Sequence, residues 1–422
     1  MNIAMTDPDP LSRLAHQIFD DLRALSPDGA GVSRPAYSGI ETQALDYLAD
    51  LARDHMLAVD TDAAGNMWFS LPAHRNAESF MVIGSHVDTV PEGGNYDGLA
   101  GVVAGLLVLI RGRDRGLRIP VKCLAMRGEE SAWFGSCYLG SKALTGQMTA
   151  AELAAPHKGD GRPLADHMRA LGIDTAPLTA GQPLMLLDQI AGYVELHIEQ
   201  GPLLIERDMP AAVVTGIRGN IRYRSVTCTG AGGHSGAVPR AYRHDPVLAM
   251  ADLLTRLDDS WLHILQTGGD LVLTSGIVGT DPARHAITRI ADNVSFSLDI
   301  RSQSTEVLDH MRAYLHEEMA DIARVRGVSF DTGPEIPAAP ALMDDAMVAG
   351  LMEAMGRTGI APFSMASGAG HDAAVFAQAG VPAAMIFVRN RNGSHNPREA
   401  MEIADFMVGT RIISEYLEAT DT

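Results

Sequence analysis

Phe80-Met81-Val82-Ile83-Gly84-Ser85-His86 and Val121-Lys122-Cys123-Leu124-Ala125-Met126-Arg127 bracket the stretch that decides the fold. Between them Leu99, Val102, Val103, Leu106, Leu107 and Ile110 fall at i, i+3, i+4, i+7, i+8 and i+11, which is one face of a helix. An apolar run, a helical face and a second apolar run make a strand–helix–strand unit, and such a unit implies parallel strands under helical cover. Working outward, amphipathic segments at 44–58 and 407–417 and the apolar run Ala383–Val388 predict that both chain ends join the same α/β layer. The middle of the chain has another rhythm. Apolar and polar residues alternate over 221–229 and again over 294–300, where Val294, Phe296, Leu298 and Ile300 take every second place, as in a sheet with one wet face. Helical patterns at 246–257 and 305–325 accompany these strands. The expected architecture is α/β: a discontinuous domain of residues 1–213 and 332–422 with a mixed, mostly parallel sheet covered by helices, and a two-layer α+β domain inserted at 214–331.

The chain has 422 residues, 46% of them hydrophobic, and a net charge of −19 from 33 basic and 52 acidic side chains. That excludes a disordered chain, and the negative field repels phosphate backbones and anionic lipid headgroups, so neither nucleic acid nor a membrane surface is expected as a partner. The longest apolar run, 99–110, is too short for a bilayer span of about 20 residues. Residues 1–14 lack the basic and apolar regions of a secretory leader, which points to the cytoplasm. Cys123, Cys137 and Cys228 fit no CxxC spacing and are expected as free thiols.

Side chains able to do chemistry cluster in Gly84-Ser85-His86-Val87-Asp88-Thr89-Val90-Pro91-Glu92-Gly93-Gly94-Asn95-Tyr96-Asp97-Gly98. His86 and Asp88, two apart at a strand end, leave on the same side, where a carboxylate can hold the second ring nitrogen of a ligating imidazole. Asp97 opens the apolar helix, where an anion is favoured, and taken alone it also reads as a helix cap. Arg127-Gly128-Glu129-Glu130-Ser131 follows the second strand directly. Neighbouring carboxylates there point to different sides, one towards a metal and one towards its water as general base, although a solvated acidic turn has the same composition. His197, His234, His371 and His395 stand in Gly-flanked or strand-end positions, which suit turns as well as ligands. Carboxylates and imidazoles without thiolates fit Zn²⁺, Mn²⁺, Co²⁺ or Ni²⁺. The chain has no GxxxxGK[ST] loop, no HExxH helix and no GxSxG elbow.

The ordered set GSHVDTVPEGGNYDGLAGV, GEES, HIEQGP, GHSGAVP, SGAGHDA and SHNP, from Gly84 to Pro397, resembles the hydantoinase/carbamoylase family of amidohydrolases, within the aminoacylase and carboxypeptidase clan of binuclear metallohydrolases. The resemblance implies two divalent ions per chain, one held by His86 and His197 and one by Glu130 and His395, with Asp97 bridging both. It implies Glu129 as general base, Asp88 as partner of His86 and His234 as oxyanion stabiliser. Gln200, Arg301 and the backbone of Gly368 and Ala369 would hold the substrate, with His285 taking the part that an Asn plays in relatives. The inserted domain would serve as a dimerisation or lid domain of a homodimer. Two stretches depart from the pattern: His285-Ala286-Ile287-Thr288 stands further from Arg301, and Ser131-Ala132-Trp133-Phe134 replaces Gly-Ser-Arg-Phe.

The function this implies is hydrolysis of the ureido C–N bond of N-carbamoyl-L-amino acids to amino acid, ammonia and carbon dioxide. Allantoate, N-acyl amino acids and dipeptides stay open as substrates, as does an inactive metal-binding scaffold on the same fold.

Overall fold

The computed structural model describes residues 9–420, so residues 1–8 of the stretch read for a leader lie outside it. The chain forms two compact units, one reaching to Thr215 and resuming at Leu342, the other spanning Gly216–Ala341.

In the first unit the main strands are β1 (Ala58–Thr61), β2 (Met67–Ser70), β3 (Phe80–His86), β4 (Val121–Met126), β5 (Ile190–Ile198), β6 (Ala211–Ile217) and β7 (Ala383–Val388). They lie in the order β6-β7-β5-β3-β4-β2-β1. β7, β5, β3 and β4 are mutually parallel, whereas β6 joins β7, and β2 joins β4 and β1, antiparallel. The expected α/β class, a mixed sheet with a parallel centre under helices, is the one observed.

Helices Pro10–Leu25, Leu99–Arg115, Asp345–Arg357 and Ile403–Thr420 share one apolar core with Met81, Ile83, Val194, Leu196, Ile198, Ala384, Ile386 and Val388 of the strands. Leu99–Arg115 lies so close to the sheet that a Cβ at Gly101 would sit 2.4 Å from the Leu196 carbonyl oxygen, which is why glycine is required there. On β5, Tyr193, Glu195 and His197 alternate with the core residues, and Tyr193 stacks on Phe376 of the helix Asp372–Gln378 with ring centroids 4.2 Å apart. Both sheet faces are therefore covered, as the continuous burial of the parallel strands requires.

A helix of the first unit differs in its bounds from expectation. The helix anticipated over 44–58 runs instead over Gly39–Asp54, started by Ser38, whose hydroxyl accepts the Glu41 N–H. Met56 then turns with φ +59°, and Ala58 already belongs to β1. The apolar residues of a short connecting turn and strand had extended the helical pattern. Among the described residues no cysteine is joined in a disulfide, and no helix is long and apolar enough to cross a membrane.

The second unit is an antiparallel sheet in the order Val272–Thr274, Asn293–Ser302, Gly219–Thr229, Ser329–Asp331. Val294, Phe296, Leu298 and Ile300 are buried with Leu253 and Leu257 of the helix Pro246–Gln266 and with Met311 and Leu315 of Thr305–Arg326, while the residues between them face outward.

Candidate metal centre and active site

The parallel strands deliver their chemistry at their carboxyl ends, where open α/β sheets bind ligands. β3 ends on His86, β4 is followed at once by Arg127 to Glu130, β5 carries His197 one residue from its end, and β7 leads into the turn bearing His395. Asp97 enters from the loop before the core helix. It caps nothing; the cap position belongs to Gly98, so its carboxylate is available to the histidines.

Around Asp97 the predicted ligands converge. Oδ1 lies 3.0 Å from His197 Nε2 and 3.6 Å from His86 Nε2, and Oδ2 lies 3.5 Å from His395 Nε2, which is 3.1 Å from Glu130 Oε1. Two donor groups thus share one carboxylate: His86, Asp97 and His197, and Asp97, Glu130 and His395. Glu129 Oε2 stands 3.8 Å from His86 Nε2. All are buried except His395.

The hydrogen bonds behind the donors fix their orientation. His86 Nδ1 is 3.1 Å from the Asp88 carbonyl oxygen and His197 Nδ1 is 2.9 Å from that of Ile198. An imidazole that donates through Nδ1 keeps its lone pair on Nε2. In both residues that lone pair faces Asp97, and at His197 the Gly98 N–H meets it at 3.2 Å. Lone pairs aimed at carboxylate oxygens 3.0–3.6 Å away are stable only with protons or cations among them. Tetrahedral coordination with bonds of about 2.0–2.1 Å separates ligand atoms by about 3.4 Å, so these spacings suit divalent ions.

Electrostatics point the same way. Burial raises Glu129 well above the usual carboxylate range, with His86 opposing and Glu130 adding to the shift. Glu130 is raised by burial and by Asp97 against its bond to His395, while that bond lifts His395 to about 9. Asp97, though buried, is held well below its ordinary value by His197 and His86. This density of buried acid needs positive charge.

Asp88 does more than face His86. Its Oδ1 is 3.4 Å from His86 Nδ1, and its two oxygens accept the backbone N–H groups of Glu129 at 2.9 Å and Glu130 at 3.1 Å, clamping the paired glutamates. Gln200 donates from Nε2 to Asp97 Oδ2 at 2.9 Å. Gln200 and His395 both have left-handed backbones, φ +63° and +59°, strain of the kind found where side-chain placement matters. The Ala369 N–H meets Ser367 Oγ at 3.2 Å, just before His371, whose ring packs edge-on against His197 at 4.4 Å.

His234, His285 and Arg301 belong to the second unit. Gly236 N–H donates to His234 Nδ1 at 3.2 Å, which leaves Nε2 as the proton-bearing donor of an exposed ring. His285 Nε2 is 2.7 Å from Thr280 Oγ1 and lines a cavity of about 510 Å³ with Arg284, Arg289 and Asp292. Arg301 grips Asp299 through Nε and Nη2, at 3.1 and 2.7 Å.

Residue-by-residue reading missed Glu399 and Glu41. Glu399 is buried and accepts the Tyr96 N–H at 2.8 Å and the Asp97 N–H at 3.3 Å. It follows His395 by four positions, and that proximity to SHNP was its one signal. Glu41 is buried against Arg127 and accepts the Gly128 N–H at 3.1 Å, bracing the turn from behind.

Residues 82–419 match the peptidase family M20/M25/M40. The chain belongs to this family. It is 33% identical over 392 residues, 92% of each chain, to an N-carbamoyl-L-amino acid amidohydrolase of Geobacillus stearothermophilus. To an allantoate amidohydrolase of Escherichia coli it is 32% identical over 84% of this chain and 85% of the other. A solved hydantoinase/carbamoylase family amidase from Burkholderia ambifaria superposes with a TM-score of 0.84 at 28% identity, covering 97% of both chains. The resemblance drawn from the motifs is therefore a family relationship, and the chain is a hydrolase.

Proposed function

We propose that the chain is a two-metal amidohydrolase that cleaves N-carbamoyl-L-amino acids at the ureido C–N bond. The observation that carries this reading is Asp97, whose two oxygens face separate imidazole and carboxylate sets beside a buried Glu129. His86 and His197 would hold one ion, Glu130 and His395 the other, and Asp97 both. Bound there, the ions supply Lewis acidity and a water that ionises near neutral pH.

Glu129 takes the proton of the water that adds to the ureido carbonyl carbon. It returns that proton to the amino nitrogen as the C–N bond breaks, and the carbamate released falls apart into ammonia and carbon dioxide. Asp88 holds Glu129 and Glu130 in place through their backbones. Gln200 orients Asp97, Gly368 and Ala369 offer backbone groups to the substrate, and His285 contributes a polar contact. His234 donates to the developing oxyanion, and Arg301 takes the substrate carboxylate by sharing its fork with Asp299. Residues 214–331 act as the dimerisation domain of a homodimer.

The test is a panel of N-carbamoyl-L-amino acids, allantoate, N-acyl amino acids and dipeptides on enzyme reconstituted with Mn²⁺, Co²⁺ or Zn²⁺. The highest kcat/KM is expected on N-carbamoyl-L-amino acids. Preference for allantoate moves the substrate within the ureido acids, and preference for dipeptides overturns the reading.

A further inference from the structure

A second group of metal-type donors lies on the long connection between β4 and β5. His157 is in the turn Pro156-His157-Lys158-Gly159-Asp160, and His167 is on the helix Leu164–Ala170. Asp160 Oδ1 is 3.4 Å from His157 Nδ1 and 3.3 Å from His167 Nε2. One donor atom from each of the three residues falls within 4.8 Å of the others, and the group shares no residue with the two that meet at Asp97. We propose that His157, Asp160 and His167 form an additional cation site that takes one zinc-type divalent ion.

Four features carry this. The two spacings from Asp160 to the imidazoles match the edge of about 3.4 Å expected for tetrahedral coordination with bonds of about 2.0–2.1 Å. Two imidazoles and a carboxylate are a borderline set that selects Zn²⁺ over Mg²⁺ or Ca²⁺ and leaves a fourth position for water. The rings are held in place: Trp133 lies parallel to His157 at 5.7 Å and 5°, and Phe134 packs on His157 at 5.1 Å and on His167 at 5.3 Å. Finally, the imidazoles are 13% and 14% exposed while Asp160 is 44% exposed, so the donors form a walled pair with one side open to an entering ion.

Backbone bonds settle the donor atoms. The Gly159 and Asp160 N–H groups approach His157 Nδ1 at 3.2 and 3.4 Å, which marks that nitrogen as the deprotonated one and turns it to the side of Asp160. The Arg162 N–H fixes Asp160 Oδ1 at 3.0 Å. An entering ion replaces the long contacts at His157 Nδ1 and the 3.3 Å hydrogen bond between His167 Nε2 and Asp160 Oδ1.

The site also has a mechanical link. Trp133 follows Glu130 by three residues; its indole N–H donates to the Thr89 carbonyl oxygen at 2.7 Å, and its own carbonyl accepts the Lys158 N–H at 2.7 Å. An ion on His157 therefore staples the loop that leaves the paired glutamates. The Trp that departs from the family pattern is the residue that stacks on the site.

The test is the zinc content of chelator-stripped protein after dialysis against low-micromolar Zn²⁺, counted by mass spectrometry per chain. His157→Ala and His167→Gln should each retain one ion fewer than the wild type, while His86→Ala retains the ion held here. Gln at 167 can still bond Asp160, so if His157→Ala fails to fold, the His167→Gln count decides. Equal zinc content in wild type and a folded His167→Gln chain overturns the site. The count does not depend on whether the Asp97 centre is an amidohydrolase, because it reads bound metal and no turnover.

Discussion

Replacing Asp88 by Asn removes an acceptor from a place where every acceptor is used. The carboxylate is fully buried and serves the Glu129 N–H, the Glu130 N–H and the Nδ1 edge of His86. An amide of the same shape has one oxygen, so it can keep one of the two backbone N–H groups and must present its NH₂ to the other. A buried donor left without a partner costs about 1–3 kcal/mol, which at about 1.4 kcal/mol per tenfold is about a 5- to 150-fold loss in the population of correctly placed glutamates. The same change loosens His86, and loss of an outer partner of a metal ligand costs about 10- to 100-fold in metal affinity. Steady-state kinetics at saturating Mn²⁺ should show the first loss in kcat with KM little changed, and a metal titration should show the second, in protein whose circular dichroism matches the wild type. A folded Asp88→Asn enzyme within twofold of wild type in both kcat and metal affinity would refute the view that this carboxylate positions the paired glutamates.

Glu129→Gln should keep its metal and lose about a hundredfold or more in kcat, since the amide cannot take the water's proton; near-normal turnover assigns the base elsewhere. Chelation should abolish activity and Mn²⁺, Co²⁺ or Zn²⁺ restore it, and fully active protein with far less than one ion per chain would contradict the metal reading. Arg301→Lys should raise KM for N-carbamoyl amino acids more than about tenfold while sparing carbamoyl amines that lack the carboxylate, because Lys cannot reproduce the two-pronged grip. Mixed dimers of inactive His234→Ala and inactive Glu129→Gln chains should regain part of the activity if His234 serves the partner's centre, and verified mixed dimers without activity argue against it.

The strand–helix–strand unit was legible because its cause is local. Met81, Ile83 and the apolar face of Leu99–Arg115 repeat at periods that no loop sustains, and the alternation of 294–300 reports one wet and one dry face in the same way. The candidate site was legible for a related reason: His86, Glu129 and Glu130 sit at or just past the ends of such strands, where direction follows from the strand itself. Helix ends were less readable. The turn at Met56 depends on one residue's left-handed backbone, and methionine gives no warning of it.

Glu399 and Glu41 were not legible, nor was the burial of Asp372 within the quoted SGAGHDA motif, and the reason lies in what a buried carboxylate requires. A Glu in a sequence with 52 acidic residues reads as surface until its partner is known, and these partners are remote. Glu399 serves backbone groups 302 and 303 positions away, Glu41 the Gly128 N–H 87 positions away, and Asp372 the Ser141 hydroxyl 231 positions away. Burial raises Glu399 to about 8, with Asp97 adding to the shift, and Asp372 to about 7, with Glu195 adding to it. Each of these acids is thus placed at a cost, and the costs gather around the loops that carry Asp97 and the paired glutamates. A fold gains nothing in stability from packing acids beside a site that is already rich in acid. Glu41 has Arg127 as its cation, but Glu399 stands behind the Asp97 backbone with no ion pair of its own among the described contacts, and a buried acid there is economical where cations complete the Asp97 centre, which supports the proposed metal.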